Sequence, residues 1–174
     1  MPVSKYIIYN NKVTVPNLSN KVVTANYEIT WDPNTTVIDD AKLHIYVTCT
    51  TIGGKVSIVM NGVEVWFWQA PWWGPFEGKG TVDVLTYLRN GLNTFVIHLY
   101  NDNWFFSQEF YVYIELDLYW HAKPGSSPKP PESKPHPPHV IPLPNLKQLT
   151  IGAAAVAAGA LIGYELYRSR KKTR

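Results

Sequence analysis

Tryptophans concentrated in one short stretch are the residues best suited to recognition chemistry. The 174-residue chain holds seven of them, and aromatic rings stack on sugar rings and fill apolar protein surfaces. Residues 69–78 combine such rings with proline and glycine, and ten connecting residues leave little room to bury three of them. The predicted contact set is Trp66, Trp68, Trp72, Trp73, Phe76 and Trp104. Three interpretations stay open: the rings cover one end of the fold, contact a neighbouring protein, or bind carbohydrate.

A second polar and aromatic turn occurs at Asn101-Asp102-Asn103-Trp104. Asparagine and aspartate side chains accept hydrogen bonds from the backbone two residues on, which predicts an Asx turn. The same side chains offer hydrogen bonds to a sugar or oxygen ligands to calcium.

Other chemistries find little support in the sequence. The single cysteine, Cys49, excludes an intrachain disulfide and a cysteine-based zinc site, and its place among inward-facing residues predicts an inert core thiol. His136 and His139 flank two prolines, so a closed metal site is not expected there. The sequence holds no HExxH motif and no glycine-rich phosphate loop. A non-enzymatic protein without a cofactor or a metal is the prediction.

Alternating apolar residues indicate the elements that position these side chains. Phe110, Val112, Ile114, Leu116, Leu118 and Trp120 alternate with tyrosines and acidic residues, and period-two alternation of this length is typical of strands half-buried against a core. Asn61-Gly62 between two β-rich runs predicts a hairpin. Eight or nine such strands predict an all-β fold, a single β-sandwich or jelly roll over residues 1–122.

Two motifs of this region resemble a known family. Residues 56–65 end a strand in Asn61-Gly62, and residues 82–97 read Val-Asp-Val-Leu-Thr-Tyr-Leu-Arg-Asn-Gly-Leu-Asn before the next strand. Both resemble the galactose-binding-like β-sandwich, which occurs in accessory jelly-roll domains of β-galactosidases and in carbohydrate-binding modules. The resemblance covers roughly residues 25–120 and implies a sandwich that serves as a ligand binder or as a spacer.

Residues 123–145 are rich in proline, with nine of the chain's fourteen prolines. Proline lacks a backbone donor and fixes φ, so such segments favour an extended conformation. We expect a semi-rigid linker after the sandwich.

Residues 146–167 predict a C-terminal membrane-anchor helix. No charged residue occurs from Leu149 to Tyr164, a run of sixteen that is shorter than the roughly 20 residues of a typical span. A buried or interfacial helix is therefore the alternative. The side chains assigned to the anchor are Ile151, Ala155, Gly159 and Gly163, with Tyr164 and Tyr167 at the lipid interface.

Charge divides the chain in the same way. Residues 1–122 carry seven basic and eleven acidic side chains, whereas residues 123–174 carry nine and two. A mildly acidic sandwich is a poor ligand for nucleic acid. The tail at 168–174 is basic through Arg168, Arg170, Lys171, Lys172 and Arg174, and the positive-inside bias places such a tail inside and the sandwich outside.

The order of these parts favours a non-enzymatic structural protein on the surface of a virion or a cell. Jelly rolls with a short C-terminal anchor and a basic end are found in capsid proteins of archaeal viruses with an internal membrane, and this chain resembles them in layout. The expected partners are lipid and neighbouring proteins, in a homo-oligomer or a capsid. The alternative is a carbohydrate-binding or host-attachment module.

Overall fold

The computed structural model describes residues 1–127 and 129–139, and within them the chain forms nine strands and one single-turn 3-10 helix. The helix spans Leu85–Tyr87 and crosses between two strands. The strands are β1 Val3–Val15, β2 Ser19–Thr30, β3 Thr36–Cys49, β4 Gly54–Met60, β5 Val63–Gln69, β6 Glu77–Asp83, β7 Gly91–Asn101, β8 Gln108–Ala122 and β9 Glu132–His139.

The strands form two antiparallel sheets that enclose one core. The four-stranded sheet has the order β1-β8-β3-β6 and the five-stranded sheet the order β5-β4-β7-β2-β9. The first eight strands pair in a nested way, β1 with β8, β2 with β7, β3 with β6 and β4 with β5. The prediction of an all-β sandwich is confirmed.

Strand β8 shows why the alternating pattern produces this fold. Phe110, Val112 and Ile114 are buried without exposed surface, and the tyrosines between them lie on the outer face of the sheet. Facing residues such as Phe95 and Ile97 come from β7 in the other sheet. Burial of apolar surface between the two sheets is the main stabilising term of such a sandwich.

Two asparagine–glycine turns close strand connections where positive φ is required. In the β4–β5 hairpin, φ is 50° at Asn61 and 90° at Gly62, as the mirror-image turns of tight hairpins demand. Gly91 begins β7 with φ of 120°. The predicted hairpin is confirmed.

The connections divide between two ends of the sandwich, as the antiparallel pairing requires. One end, called here the aromatic end, carries residues 16–18, 50–53, 70–76 and 102–107. The opposite end carries residues 31–35, 61–62, 84–90, 123–127 and 129–131.

The proline-rich segment departs from the expected free linker. Glu132–His139 is strand β9, an edge strand paired with β2 from Thr30 to Thr24. Before it, the Lys123 backbone N–H donates to Thr35 O over 2.9 Å, and the Tyr6 hydroxyl donates to Pro131 O over 2.5 Å. Proline is tolerated on edge strands, where its missing donor faces away from the ladder. Strand β9 therefore adds a fifth strand to the second sheet beyond residue 122, as far as His139.

The remaining predictions for the C-terminal part lie outside the described residues. They comprise the rest of the linker at 140–145, the anchor at 146–167 with Ile151, Ala155, Gly159, Gly163, Tyr164 and Tyr167, and the basic tail at 168–174. In the part of the chain that the structure does describe, no helix is long and apolar enough to cross a bilayer.

Candidate functional site

Five aromatic side chains project into solvent at the aromatic end and form what we call the aromatic rim: Trp72, Trp73, Trp104, Phe105 and Phe106. Their exposed fractions run from 63% for Phe106 to 86% for Trp73. Trp72 and Trp73 come from the β5–β6 loop, and the other three from the β7–β8 loop. Contiguous exposed apolar patches are uncommon on folded proteins and often coincide with interaction surfaces.

An open groove of about 290 Å³ lies between the two aromatic loops. Its lining includes Trp72 from the β5–β6 loop, Trp104 and Phe105 from the β7–β8 loop, and Gly53 and Ala70. Trp72 and Trp104, predicted from separate sequence motifs, therefore belong to one site.

Asn101 fixes the position of the β7–β8 loop. Its side chain is fully buried at the end of β7. The amide donates to Val15 O over 3.1 Å, to Pro16 O over 2.9 Å and to Phe106 O over 2.9 Å. Its Oδ1 atom accepts the backbone N–H of Asn103 over 2.9 Å, which is the predicted Asx turn. The buried amide of Asn101 thus connects both the β1–β2 loop and the β7–β8 loop to the core.

Asn103 continues this network outward. Its Oδ1 atom accepts the backbone N–H groups of Phe105 and Phe106 over 2.9 and 3.1 Å, and its amide donates to Thr51 Oγ1 over 2.9 Å. Gly53 lies so close that an added Cβ would stand 3.1 Å from Asn103 N, at a φ of 84°. The rim is therefore held by a hydrogen-bond network that runs from the buried Asn101 side chain to exposed backbone groups of Phe105 and Phe106.

Most polar side chains that line the groove already bind other groups of the protein. Asp102 pairs with Lys55 Nζ at 2.5 Å, and Asn103 makes the loop contacts described above. Gln69 is exposed at the margin. Across residues 1–127 and 129–139, no three His, Cys, Asp or Glu side chains group in a way that could hold a metal ion.

Three members of the predicted contact set lie elsewhere. Trp66 and Trp68 are half-buried on β5, against glycines of β6. An added Cβ on Gly78 would stand 2.6 Å from Trp68 Cδ1, and one on Gly80 would overlap Trp66 Nε1. Since β5 and β6 are edge strands of different sheets, the two indoles fill the seam between the sheets.

Phe76 also packs inward. Its ring is half-buried against the core, and its carbonyl accepts the backbone N–H of Cys49 over 3.0 Å. The structure thus brings together Trp72, Trp73 and Trp104 and leaves Trp66, Trp68 and Phe76 as packing residues. Phe105 and Phe106 were missed, although they directly follow the Asx turn and Trp104.

Cys49 is a core residue. It is 8% exposed, and its thiol donates to Thr51 O over 3.1 Å. Burial raises the pKa of this thiol to about 11, so the reactive thiolate is scarce at neutral pH. The predicted core position of Cys49 is confirmed.

A charged network crosses the outer face of the four-stranded sheet. Lys5 Nζ donates to Asp117 Oδ2 over 3.0 Å and to Glu115 Oε1 over 3.1 Å, and both contacts raise the pKa of Lys5. The Tyr113 hydroxyl donates to Glu115 Oε2 over 2.5 Å, which with Lys5 lowers the pKa of Glu115. These contacts join β1 to β8 and have a structural role.

No protein-family model matches this sequence, and no curated protein matches it. The solved structures to which the chain is partly similar, at low identity, include the following three. The structure of infectious bursal disease virus Gx strain has a TM-score of 0.45 and 8% identity, and the match covers 73% of this chain and 33% of that one. An alpha-L-rhamnosidase from Streptomyces avermitilis has a TM-score of 0.34 and 12% identity, with 71% of this chain and 11% of that chain covered. An FMN-binding beta-glucuronidase from Faecalibacterium prausnitzii has a TM-score of 0.31 and 16% identity, with 55% and 15% of the two chains covered. The chain spans a third or less of these matched chains. The galactose-binding-like resemblance stays a prediction.

Proposed function

We propose that this chain is a non-enzymatic structural protein that residues 146–167 hold at a membrane. Its sandwich binds a partner through the aromatic rim. The observation that carries the proposal is the rim itself. Five exposed rings stand on loops that Asn101 and Asn103 hold in place. A rigid, exposed, apolar surface suits binding by contact, since little conformational entropy is lost when a partner covers it.

The C-terminal sequence supports the membrane part of the proposal. A helix over the sixteen uncharged residues rises about 24 Å, against a hydrocarbon core of about 30 Å. Lys147 lies before the run, and Glu165 and Arg168 follow it; their charged groups would have to extend toward the headgroups. The five basic residues at 168–174 then lie on the inner side.

The nested strand pairing supports the jelly-roll part of the prediction. Pairing β1 with β8, β2 with β7, β3 with β6 and β4 with β5 is the arrangement of a long hairpin rolled over itself. In our proposal the sandwich faces outward on a virion or a cell, and copies of the chain or capsid partners are its neighbours. The basic tail faces inward.

Flotation of the full chain with membranes tests the anchor. The wild-type chain should stay with membranes after alkaline carbonate extraction, whereas a chain with Ala155→Arg and Gly159→Arg should be released because charged side chains are costly inside lipid. The matched control, Ala155→Leu with Gly159→Leu, should stay with the membrane. Release of the wild-type chain without detergent would disprove the anchor.

Carbohydrate binding is the second candidate. The groove between Trp72 and Trp104, with Gln69 at its margin, favours it, because sugar rings stack on indoles. Against it, Asp102 and Asn103 already have partners within the protein. A glycan array with the Trp72→Ala and Trp73→Ala variants decides: binding that either change abolishes supports this function, and no binding by the wild-type chain removes it.

A further inference from the structure

The two ends of the sandwich differ in charge as well as in aromatic content. The four loops of the aromatic end contain one charged residue, Asp102, and that carboxylate is paired with Lys55. The loops of the opposite end contain four charged residues, Asp32, Arg89, Lys123 and Lys129, of which Lys129 pairs with Glu132. Tryptophan is favoured in the headgroup region of a bilayer, whereas charged side chains are costly in the hydrocarbon beneath it. The aromatic end has the composition of a lipid-contacting surface.

Strand β9 gives the direction in which the chain leaves the sandwich. Its first residue, Glu132, pairs with Thr30 near the opposite end, and its last, His139, pairs with Thr24 midway along β2. The strand therefore runs toward Ser19, where β2 begins at the aromatic end.

The number of residues that follow limits the distance to lipid. Nine residues, 140–148, separate His139 from the uncharged run that begins at Leu149, and a fully extended chain of that length covers about 30 Å. About 16 Å of strand, from Thr24 to Ser19, remains before the aromatic end at roughly 3.3 Å per residue. If the opposite end faced the lipid instead, the chain after His139 would have to reverse its direction. It would then have to run back about 20 Å, the distance from Thr24 to Thr30.

We propose that the aromatic rim rests on the same bilayer that holds the C-terminal segment, with Trp72, Trp73 and Trp104 in the headgroup region. This inference rests on the proposed function and names lipid as the partner of the site. The uncharged run at 149–164 is short for a membrane span. Tryptophan and phenylalanine side chains at the loop tips of the rim would add apolar area to the contact between the protein and the membrane. The rim faces the lipid, and the opposite end faces away from it.

Two other occupants of the rim are outcomes of the test. The uncharged run of the same chain can cover the rim in water, or a neighbouring protein can cover it. Both would shield the rings from water without placing them next to lipid.

Fluorescence quenching by lipid distinguishes these occupants. A single environment-sensitive fluorophore is placed at Trp73→Cys in the full chain, or at Phe106→Cys as a second rim position, and Leu92→Cys is the control at the opposite end. Leu92 is 54% exposed. Native Cys49 can stay in the chain, because burial and a pKa of about 11 keep it unlabelled near pH 7.

The labelled chain is reconstituted in phosphatidylcholine vesicles that carry a headgroup nitroxide. We expect quenching at positions 73 and 106 several-fold stronger than at 92. Equal, weak quenching at both ends in chains that float with the vesicles would overturn the inference and leave the anchor intact. Rim labels protected from aqueous iodide but not quenched by lipid would show a protein occupant and also overturn it. Failure to float would contradict the proposed function instead.

Discussion

The side-chain amide of Asn101 donates to the carbonyl oxygen of Phe106 over 2.9 Å. This bond connects a fully buried side chain of β7 to a loop whose aromatic rings are exposed. The rim therefore depends on the core for its shape, and a change in the core at this point should be detected at the surface.

Replacement of Asn101 should loosen the rim and destabilise the fold. Asn101→Ala leaves the carbonyl groups of Val15, Pro16 and Phe106 without this donor, and unsatisfied buried polar groups cost about 1–3 kcal/mol each. We expect the free energy of unfolding in urea to fall by about 3 kcal/mol, with faster amide exchange at Phe105 and Phe106. The control is Asn17→Ala, whose exposed amide donates to Trp104 O and should matter little. Equal effects of both changes would contradict this role.

The side chain of a second buried asparagine, Asn93, connects the hairpin at Asn61-Gly62 to the motif at residues 82–97. Asn93 is fully buried, accepts from Asn61 Nδ2 and Arg89 N over 2.9 Å each, and donates to Arg89 O and Gly91 O. Asn93→Ala should lower the free energy of unfolding by about 2–4 kcal/mol. The matched control is Asn90→Ala, which removes two bonds to Trp31 at an exposed position and should cost less than about 1 kcal/mol because water replaces them. A larger loss for Asn90 than for Asn93 would show that burial is not the cause.

The glycines of β6 should be intolerant of a methyl group while the indoles above them are present. In Gly80→Ala the new Cβ would overlap the indole of Trp66, and such overpacking costs about 1–3 kcal/mol. A double-mutant cycle with Trp66→Leu measures the effect by urea denaturation. We expect Gly80→Ala to cost much less in the Trp66→Leu background, and the same cost in both backgrounds would rule out this contact as the reason.

Glu115 should contribute to stability in a pH-dependent way. Its hydrogen bond from Tyr113 and its contact with Lys5 lower its pKa below the ordinary value of 4.5. A carboxyl with a lowered pKa in the folded state stabilises fully above its unfolded pKa, and this contribution is lost as the pH falls through the folded value. The stability difference between wild type and Glu115→Gln should therefore be largest near pH 7, about 1 kcal/mol or less, and should shrink toward pH 3. Chemical denaturation at both pH values measures it, and a difference that grows in acid would contradict the assignment.

The sandwich could be predicted from sequence because its signals are local. Alternation in β8 marks the buried face, and Asn61-Gly62 can take the positive φ values of its hairpin. Strand β9 could not be predicted in the same way. Its prolines indicate a loop by propensity, and only the free edge of β2, a tertiary feature, makes the segment a strand.

The site could be predicted only in part for a similar reason. Composition identifies the aromatic residues but does not determine whether a ring packs or projects. Trp68 is packed because Gly78 on another strand leaves space beneath it, a pairing that the sequence does not reveal. Phe105 and Phe106 are exposed because Asn103 binds their backbone N–H groups and turns the loop outward.

Neutron reflectometry on the full chain in a supported bilayer tests the central claim most directly, because it measures the layer between lipid and protein. Strand β8 has 15 residues, so an upright sandwich should form a layer about 50 Å thick at roughly 3.3 Å per residue. We predict that this layer begins at the lipid headgroups without intervening water. A water-filled gap of about 10–15 Å, which is what nine extended residues starting at His139 leave beyond the aromatic end, would contradict contact between the aromatic rim and the membrane.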